Sequence, residues 1–532
     1  MADYDVIIIG SGSAGGYIAG EVAAHGSVLL IEAGPHIGGA PLPGTGSPDR
    51  RRYSTQINLG HYLPDTTESN RGRGFFAYPM YMNFSNPIQA SVQREPRVVG
   101  GGSFINVGAW VRPTLVDWDD FGRETGVKGW TKQDFEPHFR KVERLLHVHR
   151  DPRSVWNKAS VLYEEAAKSM GIPVFENASN RHRCLFCGHR LNAGMPCKYD
   201  ALMSMTVTQI PKAIEAGAVL HDNATVQKIE IEGRRATGVT YIRNGERITA
   251  KANKLVILAA GAIGSPAVLT SSEVHLVNEH VGRHLRAHPG VPMDVLLPGE
   301  DWNTDRGYQW NLHHFLMKDG KPQDSLIFAS AGFPAVTPWV ASSVGNFGQQ
   351  YKDLMRKFRS RAGAFIFNLK PNVEGRVMGG VDGPVIHYFA AGSNGLLEPK
   401  MLGEMADSVR QVWDVYKKVG AVAAFPNPND PEAVLHKSLT LFVVTSGALH
   451  PQTTCRAGES RKTSVVDSNC MSHDVANLMV CDASVIPHHI SSNPNSMIIA
   501  TADRASEFVI TQILGKRLGN DSAAAQMARE AA

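Results

Sequence analysis

The chain has 532 residues, of which 43% are hydrophobic and 20% are charged, and its formal net charge is +4. This length exceeds the size at which one hydrophobic core stops growing, so we expect two domains or one large elaborated domain. The weak net charge and the lack of a basic block argue against nucleic acid or an anionic membrane as a partner.

The amino terminus runs directly into an apolar strand. It carries no basic segment, no small-residue cleavage site and no twin arginine, so we expect no secretory signal. No apolar stretch approaches the roughly 20 residues that span a bilayer. The cytoplasm is therefore the default expectation, and the periplasm applies only if a partner subunit carries the chain. Six cysteines in so long a chain do not form a disulfide framework.

The first predicted elements are a strand over Asp5–Ile9, a glycine-rich turn and a helix. Gly10 permits the tight turn, Gly12 lets the backbone approach a pyrophosphate, and Gly15 lets the helix pack against the sheet. The helix N-terminus would meet the negative charge of the phosphates.

A second short strand, Val28–Ile31, ends at Glu32, about twenty residues after the glycines. An acid at this spacing accepts the ribose hydroxyls of a dinucleotide. A G-x-G-x-x-G turn alone can arise by chance, but the strands, the helix and the spaced acid agree. They predict dinucleotide binding without separating FAD from NAD.

The rest of the chain alternates between loop, helix and strand composition. Residues 36–96 have loop composition with many aromatics, which suits a cover over a site. Helical patterns dominate 115–170, and the aromatics there are expected to pack in the core: Trp118, Phe121, Trp130, Phe135 and Phe139. Alternating strands and a helix near 397–418 predict a second layer on the substrate side.

Several segments resemble the signatures of the glucose–methanol–choline (GMC) oxidoreductases. The segments are Arg97–Asn106, Lys254–Ser272, Val281–Pro289, Val465–Asp467 and Val480–Pro487. The chain departs from the family pattern at Glu273, His284 and Ala287. The resemblance implies an α/β protein with an FAD-binding Rossmann-like domain and a substrate domain built on an antiparallel sheet.

The resemblance also implies a discontinuous domain arrangement. The FAD-binding domain would comprise 1–50, 95–300 and 445–520, with a cysteine-rich insertion at 180–200. The substrate or cover domain would comprise 51–94 and 301–444, and 521–532 would form a tail outside the fold.

Cofactor contacts follow from the same resemblance. Beside Gly10, Gly12, Gly15 and Glu32, the expected contacts are Gly101, Ser103 and Asn106 for the flavin, Val226 for the adenine side, Asp482 for the ribityl or pyrophosphate, and Asn495. Some relatives join a histidine near this loop covalently to the flavin. Ile105 stands at that position, so we expect FAD to bind without a covalent bond.

Oxidation of an alcohol requires a base for the hydroxyl proton, and a histidine suits this role because its pKa lies near neutrality. His450 stands where the family keeps its catalytic histidine, and Asn493 stands at its second active-site position. An asparagine there would orient the substrate hydroxyl. The simpler interpretations are a surface histidine and a helix-capping asparagine. His488 and His489 follow the nearby turn and would line the pocket or cover the flavin.

A cysteine-rich stretch holds Cys184, Cys187 and Cys197. Thiolates at this spacing can hold an iron–sulfur cluster, with His182 or His189 as a further ligand. The bacterial sugar dehydrogenase branch of the family has a comparable insertion, whose cluster passes electrons to a cytochrome subunit, although the spacing differs. The other interpretations are a zinc site completed by His189 and three reduced thiols. Cys455, Cys470 and Cys481 are expected to be packing residues.

The predicted function is FAD-dependent oxidation of a CH–OH group in a sugar, polyol or primary alcohol. A hydride would pass to flavin N5, with His450 as the base. The electron acceptor would be oxygen, a quinone-like compound or a partner subunit. The alternatives are an oxygen-dependent oxidase of aryl or furan alcohols, a flavin monooxygenase or NAD(P)H-linked reductase, and a flavin-fold carrier without chemistry.

Overall fold

A computed structural model describes residues 2–36, 75–81, 90–186, 197, 199–299, 302, 311–330, 361–370, 373–388, 396–446, 448–519, 522, 523 and 525. Its strands are β1 (Ala2–Ile9), β2 (Val28–Ile31), β3 (Phe75–Tyr81), β4 (Ala90–Pro96), β5 (Ala109–Trp110), β6 (His149–Arg150), β7 (Phe175–Glu176), β8 (Ala178–Ser179), β9 (Val219–His221), β10 (Ala224–Glu232), β11 (Arg235–Arg243), β12 (Glu246–Leu258), β13 (Arg286–Leu296), β14 (Leu312–Lys318), β15 (Lys321–Ser330), β16 (Arg361–Asn368), β17 (Arg376–Met378), β18 (Val385–His387), β19 (Ala423–Phe425), β20 (Ala448–Gln452) and β21 (Leu478–Val480). Its α-helices are α1 (Ser13–Val22), α2 (Gly101–Ile105), α3 (Leu115–Thr125), α4 (Lys132–Leu145), α5 (Lys158–Ser169), α6 (Gln209–Glu215), α7 (Gly261–Ser271), α8 (Pro399–Val419), α9 (Glu432–Ser446) and α10 (Asn495–Phe508).

The first sheet has the strand order β10-β11-β12-β1-β2-β9, and β21 pairs with β12. Strand β1 runs parallel to both β12 and β2, and β2 runs parallel to β9. Val6–Ile9 are apolar and buried because helices and loops cover both faces of a parallel sheet. The parallel strands end at one edge, where α1 begins. This arrangement confirms the predicted Rossmann-like unit.

The second sheet has the strand order β19-β13-β16-β15-β14-β7, and β20 pairs with β13. Its central pairs are antiparallel, as predicted for the substrate domain. Two of its strands, Phe175–Glu176 and Arg286–Leu296, precede residue 300, where the sequence suggested the boundary. The chain therefore contributes strands to the second sheet before residue 300, and the domain bounds stay a prediction.

Two hydrophobic cores lie on the two sheets. The first surrounds the parallel strands and includes the aromatics predicted to be core residues, of which Trp118 contacts Phe121 and Phe135. The second lies between the antiparallel sheet and helices α5 and α8. Cys455, Cys470 and Cys481 are buried, which confirms their assignment to packing.

The carboxyl-terminal residues differ from the expectation of a tail that stays outside the fold. Ser522 and Ala523 are buried, and the Ala523 N–H donates to a Glu507 carboxylate oxygen at 2.6 Å. These two residues pack against the fold, and the bounds of the tail stay a prediction. None of the helices in the described part of the chain combines the length and apolar character needed to cross a membrane.

Candidate active site

The glycine-rich turn after β1 is packed so closely that side chains are excluded at two positions. Gly10 has φ +93, and a Cβ there would lie 2.4 Å from the Ala259 carbonyl oxygen. A Cβ on Gly15 would lie 1.9 Å from the Gly10 oxygen. A Cβ on Gly12 would meet no atom within 4 Å among the residues that the structure describes. The turn therefore packs against the sheet and leaves open space at Gly12, beside the N-terminus of α1, where a pyrophosphate would be stabilised.

Glu32 organises this turn. Its carboxylate accepts hydrogen bonds from the Ser11 N–H at 3.0 Å, the Ser11 hydroxyl at 2.8 Å and the Gly34 N–H at 2.8 Å. Burial raises the pKa of Glu32, and these hydrogen bonds oppose the rise. The Ser11 hydroxyl also accepts from the Gly100 N–H at 3.1 Å. One acid thus ties together the loops that would surround a dinucleotide, and its bond to ribose stays a prediction.

The second glycine-rich loop lies against the first. Gly101 has φ +48, and a Cβ there would lie 2.8 Å from the Gly12 Cα. A Cβ on Gly34 would fall 2.1 Å from the Arg97 carbonyl carbon. The signature segment beginning at Arg97 therefore reaches the nucleotide loop only because glycines occupy the contacts.

Two polar residues of this loop stabilise its backbone. The Ser103 hydroxyl donates to the Gly100 carbonyl at 2.6 Å and accepts from the Met205 N–H at 3.1 Å. Asn106 Oδ1 accepts from the Gly108 N–H at 2.8 Å. Ser103 is buried and its hydroxyl already serves the loop. The flavin contacts of both residues stay predictions.

Asp482 holds the start of helix α7. Its carboxylate accepts from the Gly261 N–H at 2.9 Å, the Ser265 hydroxyl at 2.6 Å and the Ser484 N–H at 2.7 Å. Burial raises the pKa of Asp482, while these bonds lower it. The contact of Asp482 with the cofactor stays a prediction.

Two further predicted cofactor residues lie at different depths. Asn495 Oδ1 accepts from the Ser13 hydroxyl at 2.7 Å, which joins the first residue of α10 to the first residue of α1. Val226 lies in β10 and its side chain is buried in the first core. The structure therefore places Asn495 at the nucleotide loop and Val226 within the sheet beside it.

His450 lies at an irregularity between β20 and β13. Arg286 pairs with Gln452 and His288 pairs with Leu449, so the four residues of Leu449–Gln452 oppose the three residues of Arg286–His288. The extra residue forms a β-bulge, and His450 adopts φ +62. A bulge re-aims a side chain that regular alternation would direct elsewhere. The local backbone thus turns the half-buried imidazole towards its partners.

The structure brings His450 and Asn493 together. Asn493 Nδ2 lies 3.4 Å from His450 Nε2, and His288 Nδ1 lies 2.9 Å from His450 Nδ1. Burial, followed by the neighbouring His288, lowers the pKa of His450 well below its ordinary value. Asn493 does not cap a helix, because Pro494 is the N-cap of α10 and makes no side-chain bond. The capping interpretation of Asn493 is therefore wrong.

Buried polar atoms without a partner cluster beside this pair. Within the described residues, neither ring nitrogen of His489 has a hydrogen-bond partner, and Ser492 Oγ and Asn493 Oδ1 have none. His489 and Ser492 are fully buried. Buried polar groups are nearly always bonded, so these atoms point to a ligand outside the chain. Together with the open space at Gly12, they fit a dinucleotide that ends in a polar heterocycle such as the flavin.

His288 and Asp117 are site residues that the sequence reasoning missed. Asp117, buried at the start of α3, accepts from the Ser491 N–H at 2.9 Å and the Ser491 hydroxyl at 2.8 Å, so it fixes the loop that carries Asn493. The available signal for His288 was its place in the segment Val281–Pro289. No signal linked Asp117 to a loop so distant in the chain.

The cysteine stretch is only partly described. Cys184 and Cys197 are half-buried, and neither joins two other ligating side chains among the described residues. Among the described residues, the side chains that lie close enough together to share a metal ion are those of His138, Asp503 and Glu507. Lys141 Nζ lies 2.5 Å from Asp503 Oδ1 and provides that cluster with a cation. Cys187 and His189 lie outside the described residues, so the iron–sulfur and zinc alternatives stay predictions.

Comparison with known families decides the assignment. Two models described as GMC oxidoreductase match the chain, one over residues 4–290 and one over residues 391–502. The chain belongs to the GMC oxidoreductase family. This GMC oxidoreductase is an FAD-dependent enzyme, and its family acts on alcohol-type substrates.

Relatives of this GMC oxidoreductase are distant but cover nearly its whole length. It is 25% identical to the uncharacterized GMC-type oxidoreductase y4nJ of Sinorhizobium fredii, over 95% of this chain and 94% of the relative. It is also 25% identical to human mitochondrial choline dehydrogenase, over 95% of this chain and 90% of that protein. The crystal structure of pyridoxine 4-oxidase from Mesorbium loti has a TM-score of 0.69 at 17% identity, covering 94% and 98% of the two chains.

Proposed function

We propose that this enzyme oxidises a CH–OH group, with His450 Nε2 as the general base and Asn493 holding the hydroxyl oxygen. The separation of 3.4 Å between His450 Nε2 and Asn493 Nδ2 carries this proposal. A hydroxyl placed within hydrogen-bond reach of both atoms donates its proton to Nε2 and accepts from the amide. Bound FAD supplies the acceptor for the hydride that leaves the carbinol carbon.

The environment of His450 keeps it ready to take a proton. Because burial and His288 lower its pKa, the imidazole is neutral at neutral pH and Nε2 is available as a base. The amide of Asn493 has no charge to compete for the proton. Its oxygen, which lacks a partner within the described residues, is free to contact the substrate or the cofactor.

We propose that FAD binds without a covalent bond, across the two glycine-rich loops. The residues that would hold it are Gly10, Gly12, Gly15, Glu32, Gly101, Ser103, Asn106, Val226, Asp482 and Asn495. The contact between Gly101 and Gly12 supports this proposal, because it places both loops around one space. Ile105 has no group that could form a covalent link.

The surroundings of His450 favour an alcohol with an apolar or aromatic body. The Phe367 ring lies 5.3 Å from the His450 ring, and Phe365 and Phe328 lie 4.5 and 5.8 Å from Phe367. These rings share one face of the second sheet with Leu326 and Leu369. A sugar needs several hydrogen-bond partners, whereas a phenyl wall favours an uncharged aryl or alkyl alcohol. Choline, a quaternary ammonium alcohol, is the second candidate because aromatic rings also bind such cations.

Anaerobic absorbance of the FAD-bound protein tests the proposal. We expect benzyl alcohol to bleach the flavin bands faster than glucose, 1-butanol or choline at equal concentration. His450→Gln should retain FAD and slow bleaching at least 100-fold, since a positioned base contributes about that much or more. His275→Gln, at an exposed histidine, is the matched control. Equal rates in His450→Gln and wild type would exclude His450 as the base, and no bleaching by any alcohol would exclude CH–OH oxidation.

The electron acceptor is a separate question. We propose a dehydrogenase that passes electrons to a quinone-like compound or an electron-accepting subunit such as a cytochrome, on the strength of the cysteine stretch. Stoichiometric iron and acid-labile sulfide in anaerobically purified protein would support an iron–sulfur cluster. Without them the cysteines are structural, and rapid reoxidation by air would then identify an oxidase. A flavin-fold carrier that catalyses no reaction would purify without the colour of bound flavin.

A further inference from the structure

A chain of three contacts leads from the backbone to the proposed base. The Ile490 carbonyl oxygen lies 2.9 Å from His288 Nε2. His288 Nδ1 lies 2.9 Å from His450 Nδ1, and His450 Nε2 lies 3.4 Å from Asn493 Nδ2. His288 is buried, and its ring packs 4.4 Å from the His489 ring and 6.1 Å from Phe367. Both nitrogens of the His288 imidazole therefore have a partner, and the neighbouring rings fix its position.

The protons along this chain follow from the partners. A carbonyl oxygen only accepts, so His288 Nε2 must carry a hydrogen. Burial lowers the pKa of His288 to about 4, so the ring is neutral and Nδ1 has a lone pair. Two nitrogens 2.9 Å apart cannot both be lone pairs or both N–H groups. His450 Nδ1 must then be the donor, which leaves the lone pair of neutral His450 on Nε2.

We propose that His288 is a positioning residue that fixes the tautomer of His450, keeping the proton on Nδ1 and the lone pair on Nε2 towards Asn493. The inference rests on the proposed role of His450 as the base. Without His288, an isolated imidazole would populate both neutral tautomers. The form with a hydrogen on Nε2 could not take a proton from a hydroxyl at that atom.

The groups facing the pair support a neutral arrangement. The titratable neighbours are His489 and His488, and cationic Arg286 also acts on His489. His488 and Arg286 each lower the pKa of His489, and His288 lowers the pKa of His450. No carboxylate among the described residues bonds either ring of the pair. A proton taken up by His450 therefore cannot pass beyond His288 on that side, since the contacts end at the Ile490 carbonyl, and it leaves from Nε2.

Two variants separate the accepting function of His288 from its packing. In His288→Asn, the amide oxygen can take the place of Nδ1 and accept from His450, while the bond to Ile490 is lost. In His288→Gln, the longer side chain can reach the Ile490 carbonyl but leaves no acceptor beside His450. A structural role would affect both variants alike, whereas tautomer control predicts that only His288→Gln alters His450.

Solid-state NMR of FAD-bound protein labelled with ¹³C,¹⁵N-histidine tests this directly. Correlation of Cγ with the adjoining nitrogen identifies which ring nitrogen carries the proton, and a His450→Asn sample assigns the signal among the 21 histidines. We expect Nδ1–H in wild type and in His288→Asn, and a substantial Nε2–H population in His288→Gln. Nε2–H in wild type, or an unchanged His288→Gln, would overturn the inference. Nε2–H in the wild-type spectrum would overturn the inference even if a variant fails to fold.

Flavin reduction by benzyl alcohol gives the second measurement. We expect His288→Gln to reduce the rate at least 10-fold at unchanged FAD content, and His288→Asn to retain most of the rate. The spectra do not depend on the substrate. If the tautomer is as expected but no alcohol reduces the flavin, the proposed function fails and the assignment of the tautomer stands. If wild type is reduced but its tautomer is Nε2–H, only the role of His288 fails.

Discussion

Gly15 packs against the carbonyl oxygen of Gly10, so that a Cβ on Gly15 would lie 1.9 Å from that oxygen. The oxygen belongs to a backbone that is itself pressed against Ala259. Neither group can move without shifting the sheet. A Cβ on Gly12, two residues from Gly10, would meet no atom of the described residues within 4 Å. The same motif therefore contains glycines required by the fold and one that faces open space.

Alanine substitutions should separate these two kinds of glycine. We expect Gly15→Ala to lower the free energy of unfolding by about 3 kcal/mol, because the backbone must shift to relieve overpacking. Gly12→Ala should change the stability of the FAD-free protein by less than about 1 kcal/mol, since its φ of −66 suits alanine. It should nevertheless weaken FAD binding at least 10-fold. Urea unfolding and FAD titration measure the two effects, and unchanged FAD affinity in Gly12→Ala would place the pyrophosphate elsewhere.

Asp482 should stabilise the protein through helix α7. Asp482→Ala removes the acceptor for the Gly261 N–H, the Ser265 hydroxyl and the Ser484 N–H. Leaving buried donors without a partner costs about 1–3 kcal/mol each when no water replaces the acceptor, so we expect a loss of about 3 kcal/mol. A double-mutant cycle with Ser265→Ala at a fixed excess of FAD isolates the bond to Ser265. A coupling energy near zero would contradict this bond.

Stability should fall as the solution becomes acidic. Burial lowers the pKa of His288 and of His314 to about 4. Below pH 6.5, the ordinary pKa of histidine, the unfolded chain therefore binds protons at these residues that the folded protein does not bind. The stabilisation is present above about pH 6.5 and is lost progressively towards pH 4. Each histidine should lower the free energy of unfolding by about 2 kcal/mol at pH 5, relative to pH 8. Urea unfolding at pH 8, 6 and 5 measures the slope. His314→Gln should flatten it, and an unchanged slope would show that His314 is not the cause.

Activity should survive to lower pH than an ordinary histidine allows. The environment lowers the pKa of His450, so the base stays unprotonated as the pH falls through 6.5. We expect kcat/KM for the best alcohol of the panel to be flat from pH 8 to pH 6, with an acid limb below that range. The titratable groups near His450 are His288 and His489, with Arg286 as the nearby cation. A midpoint at pH 6.5 or above would show that the His450 imidazole is solvated in the working enzyme.

The nucleotide-binding unit could be predicted from the sequence because its determinants are local. The strand Ala2–Ile9, the turn at Gly10 and the start of α1 lie within a few residues, and each follows from apolar burial or backbone freedom. The antiparallel character of the second sheet was predicted, but the strands that belong to it before residue 300 were not. Strand Arg286–Leu296 pairs within the second sheet, and a pattern of apolar residues does not reveal which sheet a strand will pair with.

The candidate pair was predicted by resemblance, while its surroundings were not. His450 and Asn493 were both expected at the site, but the bulge that turns His450 depends on how β20 registers against β13. That His489 and Ser492 have no hydrogen-bond partner in the described part of the chain becomes apparent only when the residues around them are known. Asp117 lies 374 positions from Ser491, so its role as a support for that loop could not be read from either segment.

By itself the sequence determined the family, the dinucleotide turn and the identity of the proposed base. These depend on residue type and short spacing, which set backbone conformation and the chemistry that each side chain can offer. Only the tertiary structure decided that His288 meets His450 across 162 positions and that Ser13 meets Asn495 across 482. Such contacts result from strand register and from the burial of polar groups that must find partners, and burial of the whole chain determines both.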